Sequence, residues 1–354
     1  MRAPRLLGEG KAFYHCVSRV VDRRFAFGPA EKEVIRKIMR RLETFCGVRV
    51  LTYCLMSNHF HVLVEVPDRE DLEALPEEAM LEALRGLYGP VTMRGIEEEL
   101  TRAHATKDEA RRAERVAEIL ARFESRRGDL SIFMKEWKQR VTAYINKKEG
   151  RTGTLWEGRF KSVLVEGTEA ALQTVAAYVD LNPVRAGIVD SPEEYRWCGY
   201  AEAAAGGRQA RNGLGMILSE SLGEKPLRPD WRRTHGRYRV LLYEEGREVK
   251  GDPDAGVSSR RGFDEAAVEK EADRGGKMTI PEVLRHRVRY FSDGVVLGEA
   301  AFVETVFARD RERSGGSRYG PKRETGARRM RGAQWGELRV LRDLQQDVIS
   351  APPG

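Results

Sequence analysis

Cysteine, histidine and long apolar runs are all scarce in this chain, and each shortage removes a class of function. The four cysteines, Cys16, Cys46, Cys54 and Cys198, form no CxxC pair. That argues against a thiolate zinc centre or a disulfide scaffold, and for a reducing cytoplasm where thiols pack as small hydrophobes. No stretch reaches the roughly 18 consecutive apolar residues that a membrane-spanning helix requires. The apolar part of residues 1–8 is too short for a secretory signal. A cytoplasmic protein with no membrane partner is the expectation. Neither sign of charge dominates: 62 Lys and Arg stand against 55 Asp and Glu, a formal excess of +7. This permits a polyanionic partner without requiring one, and the planar fork of arginine suits phosphate recognition.

Two of the six histidines sit in one short segment, Leu55-Met56-Ser57-Asn58-His59-Phe60-His61-Val62-Leu63-Val64-Glu65-Val66. Its β-branched run reads as a strand, in which successive side chains alternate between faces. His59, His61, Leu63 and Glu65 then share one face, and Phe60, Val62, Val64 and Val66 the other. Paired imidazoles on a rigid strand can hold one metal ion. Two packed or exposed histidines fit the same pattern, so the rest of the chain must decide.

The surrounding pattern predicts a strand over 12–20, an amphipathic helix over 30–44 and a strand over 48–56. Ser57-Asn58 then turns that strand back into the His59 strand as a hairpin. Strand, helix and hairpin open an α+β fold with a ferredoxin-like antiparallel sheet, not a doubly wound parallel one. Residues 67–128, rich in Glu, Arg, Ala and Leu, read as a charged helical insertion. Its Arg111, Arg112, Arg115, Arg126 and Arg127 either meet DNA or form a solvated helix face. A helix over 130–148 carries Phe133, Trp137, Val141 and Ile145 in one row. An irregular strand follows over 155–165, then a helix capped by Thr168 that stops near Pro183. The expected domains are a discontinuous core (1–66 and 129–205), the insertion (67–128) and a C-terminal accessory region (206–354). That last region suggests DNA binding: Thr279-Ile280-Pro281-Glu282 reads as a capped helix start, residues 299–309 as a second helix, and 309–331 as a basic arm.

Tyr178 and Asn182 lie four residues apart at the end of the Thr168-capped helix, so both project from one face. Packing plus a cap explains such a pair equally well. Beside two strand histidines, however, the set offers three ligand atoms and a tyrosine one helical turn away. The rival Tyr144 has no ligand-type residue four positions on, and His15 reads as a packed strand residue.

Tyr14-His15-Cys16-Val17-Ser18-Arg19, the His59 segment, Leu155-Trp156-Glu157-Gly158-Arg159-Phe160-Lys161-Ser162, Tyr178-Val179-Asp180-Leu181-Asn182-Pro183-Val184-Arg185-Ala186-Gly187 and Tyr195-Arg196-Trp197 occur in this order. Together they resemble the single-tyrosine HUH transposases, most closely the REP-associated tyrosine transposases of bacteria, over about residues 12–66 and 130–203. The resemblance implies a metal-dependent single-stranded DNA endonuclease and strand transferase. His59, His61 and Asn182 match the positions of the metal ligands, for Mg²⁺ or Mn²⁺, and Tyr178 that of the nucleophile. The implied substrate is single-stranded DNA with hairpin palindromes, which would associate the protein with the nucleoid when bound. A monomer or a homodimer is compatible with the family. Arg19, Trp156, Arg159, Phe160, Lys161 and Arg185 have the basic and aromatic mix that contacts single strands; core packing of Trp156 and Phe160 is the alternative. A non-cleaving, domesticated hairpin-binding protein would need none of the His59, His61, Tyr178 and Asn182 set. A metallohydrolase would need further ligands that six histidines do not evidently supply.

Overall fold

A computed structural model describes residues 5–219, 231–248, 262–273, 294–313, 325–329 and 338–342. The chain is α+β, as its patterning implies. Strand β1 (Ala12–Arg19) leads into α1 (Pro29–Cys46), β2 (Arg49–Leu55) and β3 (His59–Val66). Helices α2 (Glu77–Arg85), α3 (Pro90–His104), α4 (Glu109–Glu124) and α5 (Leu130–Glu149) follow. Then come β4 (Lys161–Val165), α6 (Glu169–Asp180) and the short α7 (Asn182–Arg185). Helices α8 (Gly199–Ala204), α9 (Arg208–Ile217), α10 (Trp231–Glu245) and α11 (Glu265–Ala272) precede β5 (Gly294–Glu299). Two further strands, β6 (Arg328–Arg329) and β7 (Leu338–Arg342), end the described chain.

The chain divides into two compact units: residues 1–25, 50–65 and 156–354 in one, 26–49 and 66–155 in the other. This division departs from the boundaries read in the sequence. Helices α1 and α5 group with the 67–128 segment, and the residues after 205 group with the sheet.

In the sheet unit the strands run β2-β3-β1-β4-β5-β7-β6. The first four are in the ferredoxin-like order, with β1 and β4 antiparallel and Tyr14 opposite Leu164. The extension beyond β4 has no counterpart in the sequence reading. Strand β5 pairs parallel to β4, Val165 opposite Leu297, and antiparallel to β7. Val295, Val296 and Leu297 form too short an apolar run to separate a strand from a turn-flanked helix start. The helix expected over 299–309 is present as Ala300–Arg313. The segment 279–282 and most of the basic arm lie outside the described residues.

The outer edge of β2 is covered on its own side. Leu55 N–H donates to the Trp197 carbonyl at 2.9 Å, and the Tyr195 hydroxyl to the Leu55 carbonyl at 2.7 Å. The Tyr195-Arg196-Trp197 motif therefore caps a strand edge that would otherwise offer open backbone groups. A Cβ at Gly213 of α9 would overlap the Leu51 backbone, so the absence of a side chain lets that helix lie directly on β2.

The second unit is helical. Helix α1 ends at Gly47, whose φ of 69° closes it in the left-handed region. Helix α5 starts at Asp129, whose carboxylate accepts from Ser131 and Ile132 N–H. Trp137 is fully buried, and its indole N–H donates to the Ile35 carbonyl at 3.1 Å. Two of the arginines considered for DNA are internal ties. Arg126 donates to Glu136 (2.6 and 2.9 Å) and to the Tyr88 hydroxyl (2.7 Å), with its guanidinium 4.7 Å from the Phe45 ring centre. Arg127, 5% exposed, donates to the Phe45 and Glu73 carbonyls and to Glu124. Arg111 and Arg115 do lie on an exposed face of α4. Among the described residues no helix is long and apolar enough to cross a membrane.

Candidate functional site

The site is built within the sheet unit. Met56 N–H donates to the His59 carbonyl at 2.9 Å, closing the β2–β3 hairpin over Ser57 and Asn58. This sets His59 and His61 at the start of β3 on one face, their ring centres 5.2 Å apart. On the opposite face Phe60 packs edge-on against Trp156 at 5.5 Å. Strand β1 adds His15, fully buried, whose Nε2 lies 3.0 Å from His61 Nδ1.

Tyr178 enters from α6, where Thr168 caps the first turn by accepting from Ala171 N–H. Its ring stands edge-on to both His61 and His15, with centres 5.5 and 5.7 Å apart. The late-helix tyrosine and the hairpin's His61 thus meet within one chain. The Arg185 guanidinium lies 5.3 Å from the Tyr178 ring centre, placing one of the expected cations directly beside the phenol. Asn182, at the start of α7, turns its amide nitrogen back onto the end of α6, donating to the Tyr178 and Val179 carbonyls at 2.7 and 3.3 Å. Its side-chain oxygen is left as the atom with ligand character.

The two hairpin imidazoles are held in the neutral form. Burial pushes the His59 ring down to about 4, with the Arg19 charge adding to it. Burial also carries His61 well below the ordinary histidine value, reinforced by His15, His59, Arg19 and Arg185. A neutral ring is the metal-binding form. Each ring also has Nδ1 engaged: His59 by the Asn58 side-chain oxygen at 2.7 Å, His61 by His15. Such outer contacts fix ring orientation and direct Nε2 towards a ligand role. The two rings therefore offer a pair of nitrogen donors in the form that can bind a metal ion. Among the described residues no group of three His, Cys, Asp or Glu side chains is disposed to hold one. Any metal ion held here would need a third donor of another type, such as an amide oxygen.

The remaining sequence-derived residues divide. Arg19 ends β1 beside the histidines, close enough for its charge to bear on both rings. Arg159 and Lys161 are exposed at the entrance to β4, and Phe160 is half-buried. Trp156 corrects the expectation of a base-stacking platform. It is 6% exposed and its ring packs edge-on against Phe60, while its backbone bridges to Val20 just past β1.

Sequence reasoning missed a buried polar knot behind the tyrosine. Asp180, fully buried on α6, accepts from the Thr52 hydroxyl (2.8 and 2.9 Å), the Tyr238 hydroxyl (2.6 Å) and Tyr200 N–H (3.2 Å). Burial still pushes its carboxyl up to about 6. An acid flanked by Val179 and Leu181 in an apolar helix was the available signal.

A ferredoxin-like sheet with paired imidazoles facing a helical tyrosine is the layout that the transposase motifs imply. Residues 10–77 match the family model described as IS200-like transposase, and the resemblance read from the motifs holds over that segment. A solved structure described as a REP-associated tyrosine transposase bound to a REP hairpin is 12% identical to this chain, with a TM-score of 0.33. It covers 58% of this chain and 87% of its own. No curated protein matches the chain.

Proposed function

We infer that this protein is a metal-dependent single-stranded DNA endonuclease and strand transferase acting on hairpin-forming sequences through Tyr178. The observation that carries this reading is the edge-on approach of the Tyr178 ring to His61 at 5.5 Å. His59, His61 and Asn182 would hold Mg²⁺ or Mn²⁺, which supplies Lewis-acid polarisation of one DNA phosphate. The Tyr178 phenol oxygen attacks phosphorus in line with the departing 3′-oxygen. The new bond is a 5′-phosphotyrosine ester, the broken bond is P–O3′, and the phenol proton ends on the 3′-hydroxyl. Arg185, over the Tyr178 ring, helps hold the phenol in place through a cation–π contact. The reverse attack by a 3′-hydroxyl reseals the strand and frees the tyrosine, so no nucleotide cofactor is consumed.

The test is incubation of labelled hairpin oligonucleotides with the protein and Mn²⁺ or Mg²⁺, followed by denaturing electrophoresis. A covalent adduct that disappears in Tyr178→Phe is expected. Cleavage without an adduct would point to water as nucleophile, and binding without cleavage to a domesticated hairpin-binding protein. Either result removes this assignment.

A further inference from the structure

Immediately after β1 the chain makes a turn that the chemistry above does not use. Asp22 (φ 57°, ψ 16°) and Arg23 (φ 55°) are the two non-glycine residues with positive φ among the described residues. Left-handed backbone without glycine carries an energetic penalty and persists only where neighbours enforce it. Here the enforcing neighbour is Asn58, whose amide nitrogen donates to the Arg23 carbonyl at 2.7 Å. Its backbone carbonyl also accepts from Val20 N–H at 2.8 Å. The same side chain, through its oxygen, lies 2.7 Å from His59 Nδ1. One amide therefore ties the strained turn to a candidate metal histidine.

What the turn presents is unusual for this surface. Phe25 is 82% exposed, the one aromatic among the large hydrophobic side chains exposed in the described residues. Arg23 and Arg24 beside it are exposed as well. Exposed phenylalanine forgoes the gain of burial, and an aromatic face flanked by two guanidinium groups matches an unpaired nucleotide, with base on ring and phosphate on arginine. A solvated loop explains the arginines, but not a fixed left-handed backbone or its link to His59.

We propose that the turn Asp22–Phe25 is a docking site for an unpaired base of single-stranded DNA, with Phe25 as the stacking surface and Arg23 and Arg24 as phosphate contacts. The proposal rests on the strand-transferase reading, since it places the base next to the histidine strand. Stacking on Phe25 would hold the single-stranded flank in register with His59, and Asn58 would fix the distance between the two.

The test compares two fluorescent probes by anisotropy: a DNA hairpin carrying a single-stranded flank, and the same hairpin with no flank. Phe25→Ala is expected to weaken the flanked probe about tenfold and to leave the blunt hairpin unchanged. Phe25→Trp, which keeps a stacking face, is expected to retain affinity. Equal loss on both probes, no loss on either, or no preference of the parent protein for the flanked probe would overturn the proposal. Adduct formation through Tyr178, followed in the same variants, separates the two ideas. Flank discrimination without an adduct removes the transferase and keeps the docking turn. An adduct with unaltered flank affinity in Phe25→Ala does the opposite.

Discussion

At the scale of single residues, His15 shows how much a candidate ligand depends on the atom behind it. Its contact with His61 Nδ1 at 3.0 Å sets which nitrogen of that ring faces outward. His15→Ala removes the constraint without touching a ligand, and metal affinity is expected to fall about 10- to 100-fold. Titration with Mn²⁺ followed by electron paramagnetic resonance checks this without any assay of DNA cleavage. His15→Gln, which can still engage Nδ1, is expected to recover part of the loss. The alternation that puts His59 and His61 on one face is legible from the β-branched run alone. The role of His15 is not, because it depends on which strand lies beside β3, and that is a matter of sheet order. Trp156 is illegible for a related reason. A tryptophan among Arg159 and Lys161 reads the same whether its ring faces solvent or, as here, Phe60.

At the scale of elements, the tyrosine helix is anchored by polar contacts as well as apolar ones. Asp180 joins α6 to Thr52 on β2 and Tyr238 on α10, all three fully buried. Tyr238→Phe leaves the carboxylate short of one donor and is expected to cost about 1.5–3 kcal/mol, seen as a lower midpoint in urea denaturation. In the helical unit the Arg126–Glu136 pair is the corresponding tie. Arg126→Ala is expected to lower stability by about 2 kcal/mol while leaving oligonucleotide affinity unaltered. A fall in affinity with stability preserved would return Arg126 to the DNA-contacting role considered from sequence. Helices α1, α5 and α6 are legible to within a few residues because their apolar spacing, Thr168 cap and flanking glycines agree with one another. The internal use of Arg126 and Arg127 is not legible, since a paired arginine and a solvated one look alike in a charged helix.

At the scale of the whole chain, the described residues after 205 group with the sheet unit. Strand β5 covers the edge of β4 by parallel pairing, which no local pattern announces because the partners are some 130 positions apart (Val165 with Leu297). Removing residues 294–354 uncovers the β4 edge with Leu164 and Val165 at its end. Such an edge pairs readily with another chain, so this truncation is expected to self-associate, as judged by light scattering during gel filtration.

The four cysteines, read from sequence as small hydrophobes, are all buried in the structure. Burial drives the Cys16 and Cys46 thiols up to about 12 and Cys198 well above the ordinary value. Alkylating reagents consume thiolates, so the native protein should be silent to them. Because Cys46 belongs to the helical unit and Cys16, Cys54 and Cys198 to the sheet unit, the four sulfurs form a built-in clock. Mass spectrometry of pulse-alkylated protein would time the opening of each half separately, with no dye or engineered reporter.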